Sequence, residues 1–262
     1  MRSEDLSRFK TWFSDFCRSY YTNSEEDNKN IRLKEDHTKH VCSLMADITS
    51  SLGLDENRSL IAQTTALFHD VGRFPQYKKY KTFKDSASTN HGALGAETLI
   101  EHDALSGIPA DEMNQILTAV KFHNAYTLAD IADPEALLQL KLVRDADKID
   151  IWKLFYLYYV SAEEERPSAV ALGLADRPEY SERVLSCIFN KQLARLADLT
   201  TLNDFKLLKL TWLFDLNFKI SFKIFAEKDY LGLIVSTLPQ TDGVFKARDF
   251  LEKYIKEKLE TI

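Results

Sequence analysis

The chain has 262 residues, 45% of them apolar and 28% charged, which is ample material for a continuous buried core. A formal net charge of -6, with no run of five or six like charges, excludes binding along a nucleic-acid backbone as the main activity, because neutralising phosphates needs a basic face. Only 8 Gly and 6 Pro are present, too few for the many tight turns of sandwiches and barrels, so long helices joined by few loops are expected.

Residues 4 to 21 carry Leu6, Phe9, Phe13, Phe16 and Tyr20 at helical spacing, an aromatic face. The polar, acidic tract Thr22 to Asn30 reads as a surface loop. A second helix is predicted from about Leu33 to Leu52, with Val41, Leu44, Met45, Ile48 and Leu52 as its stripe and Gly53 as its stop. Asp55 then caps a helix through Leu60, Ile61, Thr64, Leu67 and Phe68, which runs out at His69-Asp70-Val71-Gly72. Residues 74 to 90 show no helical period and are predicted as a loop. The next helix begins near Asn90 and ends around Gly107, and Pro109-Ala110-Asp111 opens another that carries Ile116, Val120 and His123 inward. Asp133-Pro134-Glu135 is a start signal, with Asp as N-cap and Pro at the first helical position. Its stripe runs Leu137, Leu140, Val143, Asp147 and Ile151. Helices follow near 180 to 197, 201 to 228 and 244 to 259, with Tyr230 to Leu238 read as a strand. The fold class is all-α. The expected organisation is one domain over 1–262, a helical core at about 30–155 with a C-terminal helical extension at about 156–262.

Cys17, Cys42 and Cys187 form no C-x-x-C pair or zinc-finger spacing and read as reduced thiols of a cytoplasmic protein. The start, Met1-Arg2-Ser3-Glu4-Asp5, is too polar for a signal peptide. The most apolar stretches, Ile151 to Ala162 and Leu231 to Leu238, are too short or interrupted to span a bilayer, so no membrane partner is expected.

Chemistry concentrates in the first half. The six histidines are 37, 40, 69, 91, 102 and 123. A single histidine on an apolar stripe is ordinarily a hydrogen-bonded core residue. An aspartate there, as at Asp147, is costlier, because burying its charge takes several kcal/mol or forces protonation. A metal cation removes that difficulty, and imidazole with carboxylate suits Mn, Fe, Co or Zn.

His37-Thr-Lys-His-Val41, Leu67-Phe68-His69-Asp70-Val71-Gly72-Arg73 and Asp145-Ala146-Asp147-Lys148-Ile149-Asp150 occur in an order that resembles the H…HD…D signature of HD-domain phosphohydrolases, over roughly residues 32 to 152. The resemblance implies an HD-type helical bundle and a metal held by His37, His69, Asp70 and Asp147. It places the first histidine at a helix start. His91, in Asn90-His91-Gly-Ala-Leu-Gly95, and His123, in Lys121-Phe122-His123-Asn124, resemble the added ligands of branches that hold two metals, with Asp70 bridging. Gly92 and Gly95 would let a neighbouring helix approach closely. The implied cofactor is one or two divalent transition metals (Mn, Fe, Co or Zn, with Mg as a further candidate). The implied reaction is hydrolysis of a phosphomonoester or phosphodiester, with a nucleotide-like substrate, by metal-activated water.

Asp70, Arg73 and Lys148 are the candidate catalytic residues, Arg73 to grip a phosphate oxygen and Lys148 as a weaker candidate whose side chain could point to solvent. His40 is read as a supporting residue and His102 as exposed. Lys78, Lys79, Lys81 and Lys84 form a basic rim that suits a small anionic substrate or merely keeps a loop solvated. Arg144, Arg166 and Arg177 are cations without an assigned direction, and Trp212, Phe214, Phe218, Phe222 and Phe225 are read as packing a helical subdomain, lining a dimer interface or forming an aromatic wall against a substrate base. An asparagine after His123 and the absence of a downstream Gly-Tyr-Pro argue against cyclic dinucleotides, and no acidic motif of alarmone hydrolases is found. Two rivals share the ligand set: an HD-fold di-iron oxygenase and a non-catalytic HD ligand-binding module.

Overall fold

The computed structural model describes residues 1–161 and 173–260, and Arg166 lies outside them. Among the described residues the regular structure is helical, apart from one isolated bridge between Ala175 and Thr201. The chain divides into two compact units, one formed by Met1–Asp150 and the other by the described residues from Ile151 onward.

In the first unit, α1 (Ser3–Arg18), α2 (Glu25–Ser51), α3 (Glu56–Phe68), α4 (Arg73–Tyr80), α5 (His91–Glu101) and α6 (Ala110–Phe122) precede α7 (Pro134–Val160), which runs on into the second unit. The aromatic face of α1 is the clearest case of sequence dictating packing. Phe9, Phe13 and Phe16 lie buried, with Phe9 edge-on to Phe68 at 5.7 Å and Phe13 and Phe16 each edge-on to Phe74 at 5.9 Å between ring centroids. Leu99, Ile116 and Val120 complete that core. Helix α3 packs against α1, α2 and α6, and α5 packs against α4 and α6, so the segment between α3 and α4 is enclosed on several sides. Asp55, Asn90 and Asp133 cap helices as their side chains allow, each accepting a backbone N–H from the first turn.

Helix α2 begins at Glu25, capped by the Ser24 hydroxyl, so most of the tract expected as a loop over Thr22 to Asn30 is helical. Its acidic residues form the first turn, where they complement the helix dipole, and Asn30 and Ile31 are buried. His37 consequently sits in mid-helix and not at a helix start. The expected loop from 74 to 90 contains α4 and a 3-10 turn at Asp85–Ala87. Pro75 is tolerated because it falls in the first turn, where its missing N–H has no helical partner to lose.

In the second unit, α8 (Glu182–Phe189) is shorter than the helix expected near 180 to 197. The single helix expected from 201 to 228 is broken: α9 (Leu202–Thr211) passes into a 3-10 turn at Trp212–Asp215, the chain extends at Leu216, and α10 (Lys219–Glu227) follows. The expected strand at Tyr230 to Leu238 is a helix, α11 (Tyr230–Ser236). Asp229 caps α11 by accepting the Gly232 N–H, and the buried residues Tyr230, Leu231, Ile234 and Val235 recur at helical spacing. Helix α12 (Asp242–Glu260) packs on α8, α10 and α11. Phe222 and Phe225 are buried in this unit, Phe214 and Phe222 meet Tyr254, and Phe225 packs on Trp152 at 4.4 Å.

Candidate metal centre

Helix α3 stops at Phe68, and the chain turns through His69-Asp70-Val71-Gly72 before α4. The turn is held by the Val71 N–H donating to the Phe68 carbonyl and the Arg73 N–H donating to the Asp70 carbonyl. His69 and Asp70 thereby enter the interior, 0% and 2% exposed. Four imidazoles converge on that carboxylate. Nε2 of His37 lies 3.6 Å and Nε2 of His69 3.7 Å from Asp70 Oδ2, while Nε2 of His91 and His123 lie 3.4 and 3.7 Å from Oδ1. Within the first pair the two Nε2 atoms are 3.2 Å apart, and within the second 3.1 Å. Asp147, on α7, completes the first group, with Oδ1 at 3.0 Å from His37 Nε2 and 3.7 Å from His69 Nε2. Of the six sequence-predicted metal residues, the four histidines surround Asp70, and Asp147 approaches His37 and His69.

The outward nitrogen of every imidazole has an acceptor. Nδ1 of His69 donates to the Ala66 carbonyl and Nδ1 of His123 to the Val120 carbonyl, both at 2.8 Å. These are carbonyls of a terminal helical turn, which lack intrahelical partners. Nδ1 of His37 meets Asp150 Oδ2 at 2.7 Å, and Nδ1 of His91 meets Asp85 Oδ2 at 2.8 Å. A proton held on Nδ1 leaves the Nε2 lone pair aimed inward, which is the orientation that metal-ligating histidines take from their outer partners. Two pairs of lone pairs, each facing one oxygen of a shared carboxylate, fit a pair of divalent cations. His37, His69 and Asp70 form one group able to hold an ion, and Asp70, His91 and His123 another.

The electrostatics set His37 apart, because a ring charged at neutral pH carries on Nε2 a proton that an incoming cation would have to displace. Burial pulls His37 down, but hydrogen bonds to Asp147 and Asp150 overcome it and raise its pKa to about 9, so this spot favours a positive charge. Burial lowers His69 to about 4 and His91 to about 3, the latter helped by the Arg73 charge, so both stay neutral and able to ligate. Burial pushes Asp70 and Asp147 upward and is outweighed: Lys34 and His69 hold Asp70 well below the usual carboxylate range, and His37 and His69 do the same for Asp147.

The candidate phosphate cations are placed otherwise than the sequence suggests. Arg73 Nη1 donates to Gln76 Oε1 at 2.9 Å, to Asp85 Oδ1 at 3.1 Å and to the Phe83 carbonyl, and its Nε faces Asp70 Oδ1 at 3.4 Å. Lys148 is buried, with Nζ donating to the Arg144 carbonyl at 3.4 Å, and does not point to solvent. Arg144 in turn donates to the carbonyls of His123 and Ala125, bracing the end of α6. Of the expected basic rim, Lys81 pairs with Asp27 at 2.7 Å. His40 is half exposed and approaches Asp150 Oδ1 at 3.5 Å, and His102 is exposed against Trp12 and Phe16. Gly92 and Gly95 do permit close approach: a Cβ on Gly92 would meet the Lys121 carbonyl at 2.7 Å, and one on Gly95 would meet Val120 Cγ1 at 3.2 Å.

Three residues went unread in the sequence. Lys34 Nζ donates to Asp70 Oδ2 at 2.7 Å, Asp150 holds His37, and Asp85 holds His91 while accepting from Arg73, Gln76 and Asn124. Spacing offered a signal for two of them, since Lys34 is one turn before His37 and Asp150 one turn after Asp147. Asp85 is the only acid in a basic tract, a weaker mark.

No curated protein and no solved structure matches the chain. The HD-domain family model matches residues 35–152, the span containing all six converging side chains. Over that span, a little under half of its length, the chain matches the HD domain.

Proposed function

We propose that this chain is a metal-dependent phosphohydrolase that cleaves a small phosphomonoester or phosphodiester, nucleotide-like in character, with cations held by His37, His69, Asp70, His91, His123 and Asp147. The observation that carries the reading is the presentation of one Asp70 oxygen to each of two histidine pairs. Divalent ions bound there supply Lewis acidity toward phosphoryl oxygens and lower the pKa of water toward neutrality. The chain's own groups do the rest. Asp85, Asp150 and the carbonyls of Ala66 and Val120 fix the four imidazoles, so no reorganisation is needed when charge develops. Lys34 and Arg73 flank Asp70 and offset the local negative charge that would repel a phosphate. Asp147 is 16% exposed against 3% for Asp70, so of these two carboxylates it is the one nearer to solvent.

Purified protein analysed for metals, then screened against phosphatase and phosphodiesterase substrates with Mn, Co, Fe, Zn or Mg, tests this. Phosphate release that depends on added metal is expected, with loss in His69→Ala and Asp70→Ala proteins of unchanged helical content. Full turnover by Asp70→Ala, or iron-dependent consumption of oxygen in place of phosphate release, overturns it.

A further inference from the structure

Two cations touch the Asp70 carboxylate, and the structure holds them differently. Arg73 is fixed: its Nη1 is shared among Gln76, Asp85 and the Phe83 carbonyl, and Asp85 is itself the partner of His91. Lys34 is held by one hydrogen bond, to Asp70 Oδ2, with the Phe83 ring 5.3 Å from its ammonium. An ammonium has three N–H groups on a flexible stem, so two remain available. Both cations are 15% exposed against 3% for Asp70, so what sets Lys34 apart is the single hydrogen bond that holds it.

Oδ2, the oxygen that Lys34 grips, is also the one facing His37 and His69. A divalent cation between those imidazoles would add a second, larger positive charge at the same oxygen. Repulsion would then favour the ammonium leaving Oδ2, and a substrate anion would be its natural partner. We propose that Lys34 is the residue that takes hold of the substrate's phosphate, and that Arg73 is a positioning residue for Asp70 and Asp85. This rests on the phosphohydrolase reading and adds to it the identity of the anion-binding group.

The test uses the full chain with Lys34→Gln, Lys34→Arg and Arg73→Gln variants, two titrations and no turnover. Mn2+ is titrated into metal-free protein by calorimetry, and inorganic phosphate into the Mn2+-loaded protein. For Lys34→Gln we expect Mn2+ affinity equal to or tighter than wild type, because a competing charge has gone. We expect its phosphate affinity to fall by roughly 10- to 100-fold, the loss of one charge-assisted hydrogen bond. Lys34→Arg should recover part of it. Arg73→Gln should instead weaken Mn2+ binding itself. Wild-type phosphate affinity in Lys34→Gln overturns the Lys34 assignment alone, and so does weakened Mn2+ binding, which would make Lys34 a structural clasp. A Mn2+-loaded wild type that binds no phosphate overturns both this and the underlying reading.

Discussion

Replacing Gly72 by alanine tests whether close backbone approach builds the second half of the centre. The backbone angles at Gly72, φ -66 and ψ -17, suit any residue, so the demand for glycine is entirely steric. A Cβ there would lie 2.6 Å from the Gly95 N and nearer still to the His91 carbonyl oxygen. Ordinary contact begins near 3.4 Å, so the first turn of α5 would have to withdraw by about 0.8 Å or more. Neither obstacle is a flexible side-chain tip, and α5 is anchored by buried Leu99 and by Gly92 and Gly95 against α6. Over-packing against fixed backbone should cost about 3 kcal/mol, the upper end of the usual range. The displacement also carries His91, whose Nε2 stands 3.1 Å from His123 and 3.4 Å from Asp70. Urea unfolding followed by circular dichroism reads the stability, and calorimetric Mn2+ titration reads the centre. A lowered midpoint with loss of one metal equivalent is expected. A Gly72→Ala protein within about 0.5 kcal/mol of wild type that still binds two equivalents would refute the steric account.

Asp85→Asn should weaken metal binding at the His91 and His123 group by roughly 10- to 100-fold while sparing the other group, because an amide is a poorer acceptor for His91 and turns an N–H toward Arg73, Gln76 and Asn124. Equal loss at both groups in the Mn2+ titration would contradict it. In chelator, unfolding free energy should fall on acidification from pH 6.5 toward 4. There the unfolded chain binds protons that His69 and His91, lowered to about 4 and 3, refuse when folded, at up to about 1.4 kcal/mol per pH unit each. His37 has the opposite sign: its pKa is raised to about 9, so its contribution is intact below 6.5 and is lost between 6.5 and 9. Urea titrations from pH 4.5 to 9 check both limbs. A flat acid limb, or one that His91→Gln leaves unchanged, would count against these assignments.

The residues legible in the sequence were those that break a local pattern. Asp147 and His123 occupy apolar stripes, and His69-Asp70 ends an amphipathic helix inside a multi-part motif. The residues that stayed hidden break nothing. Lys34 and Asp150 are charged residues beside other charged residues, and only the fold shows that one faces Asp70 and the other His37. Helix α4 was hidden for a related reason. Its buried residues are Phe74, Gln76 and Tyr77, and a buried glutamine erases the apolar period that would have announced it. The same glutamine donates to Asp85, Ser88 and the Thr89 carbonyl, so its polarity is spent holding the segment that carries Asp85. The beginning of α2 shows that acidity alone does not mark a loop, since three acids in a first turn also mark a helix N-terminus.

Helix position explains which imidazole supports a sequence can reveal. His69 and His123 each follow a phenylalanine at the very end of a helix, in Phe68-His69-Asp70 and Phe122-His123-Asn124. A helix end leaves its last carbonyls without partners, so each ring finds an acceptor three residues back on its own chain. Those supports can be inferred from a helix boundary alone. His37 lies in mid-helix, where nearby carbonyls already accept backbone N–H groups, and His91 opens a helix, where it is amide donors and not carbonyls that are unpaired. Neither has a local acceptor, and both are supported by carboxylates, Asp150 at a separation of 113 residues and Asp85 at six. Each group therefore pairs one locally supported histidine with one supported by a distant or irregular segment. A substitution at Ala66 or Val120 leaves its backbone carbonyl in place, so those two supports tolerate side-chain change. The other two depend on single carboxylates, which is where the orientation of the centre is most exposed to mutation.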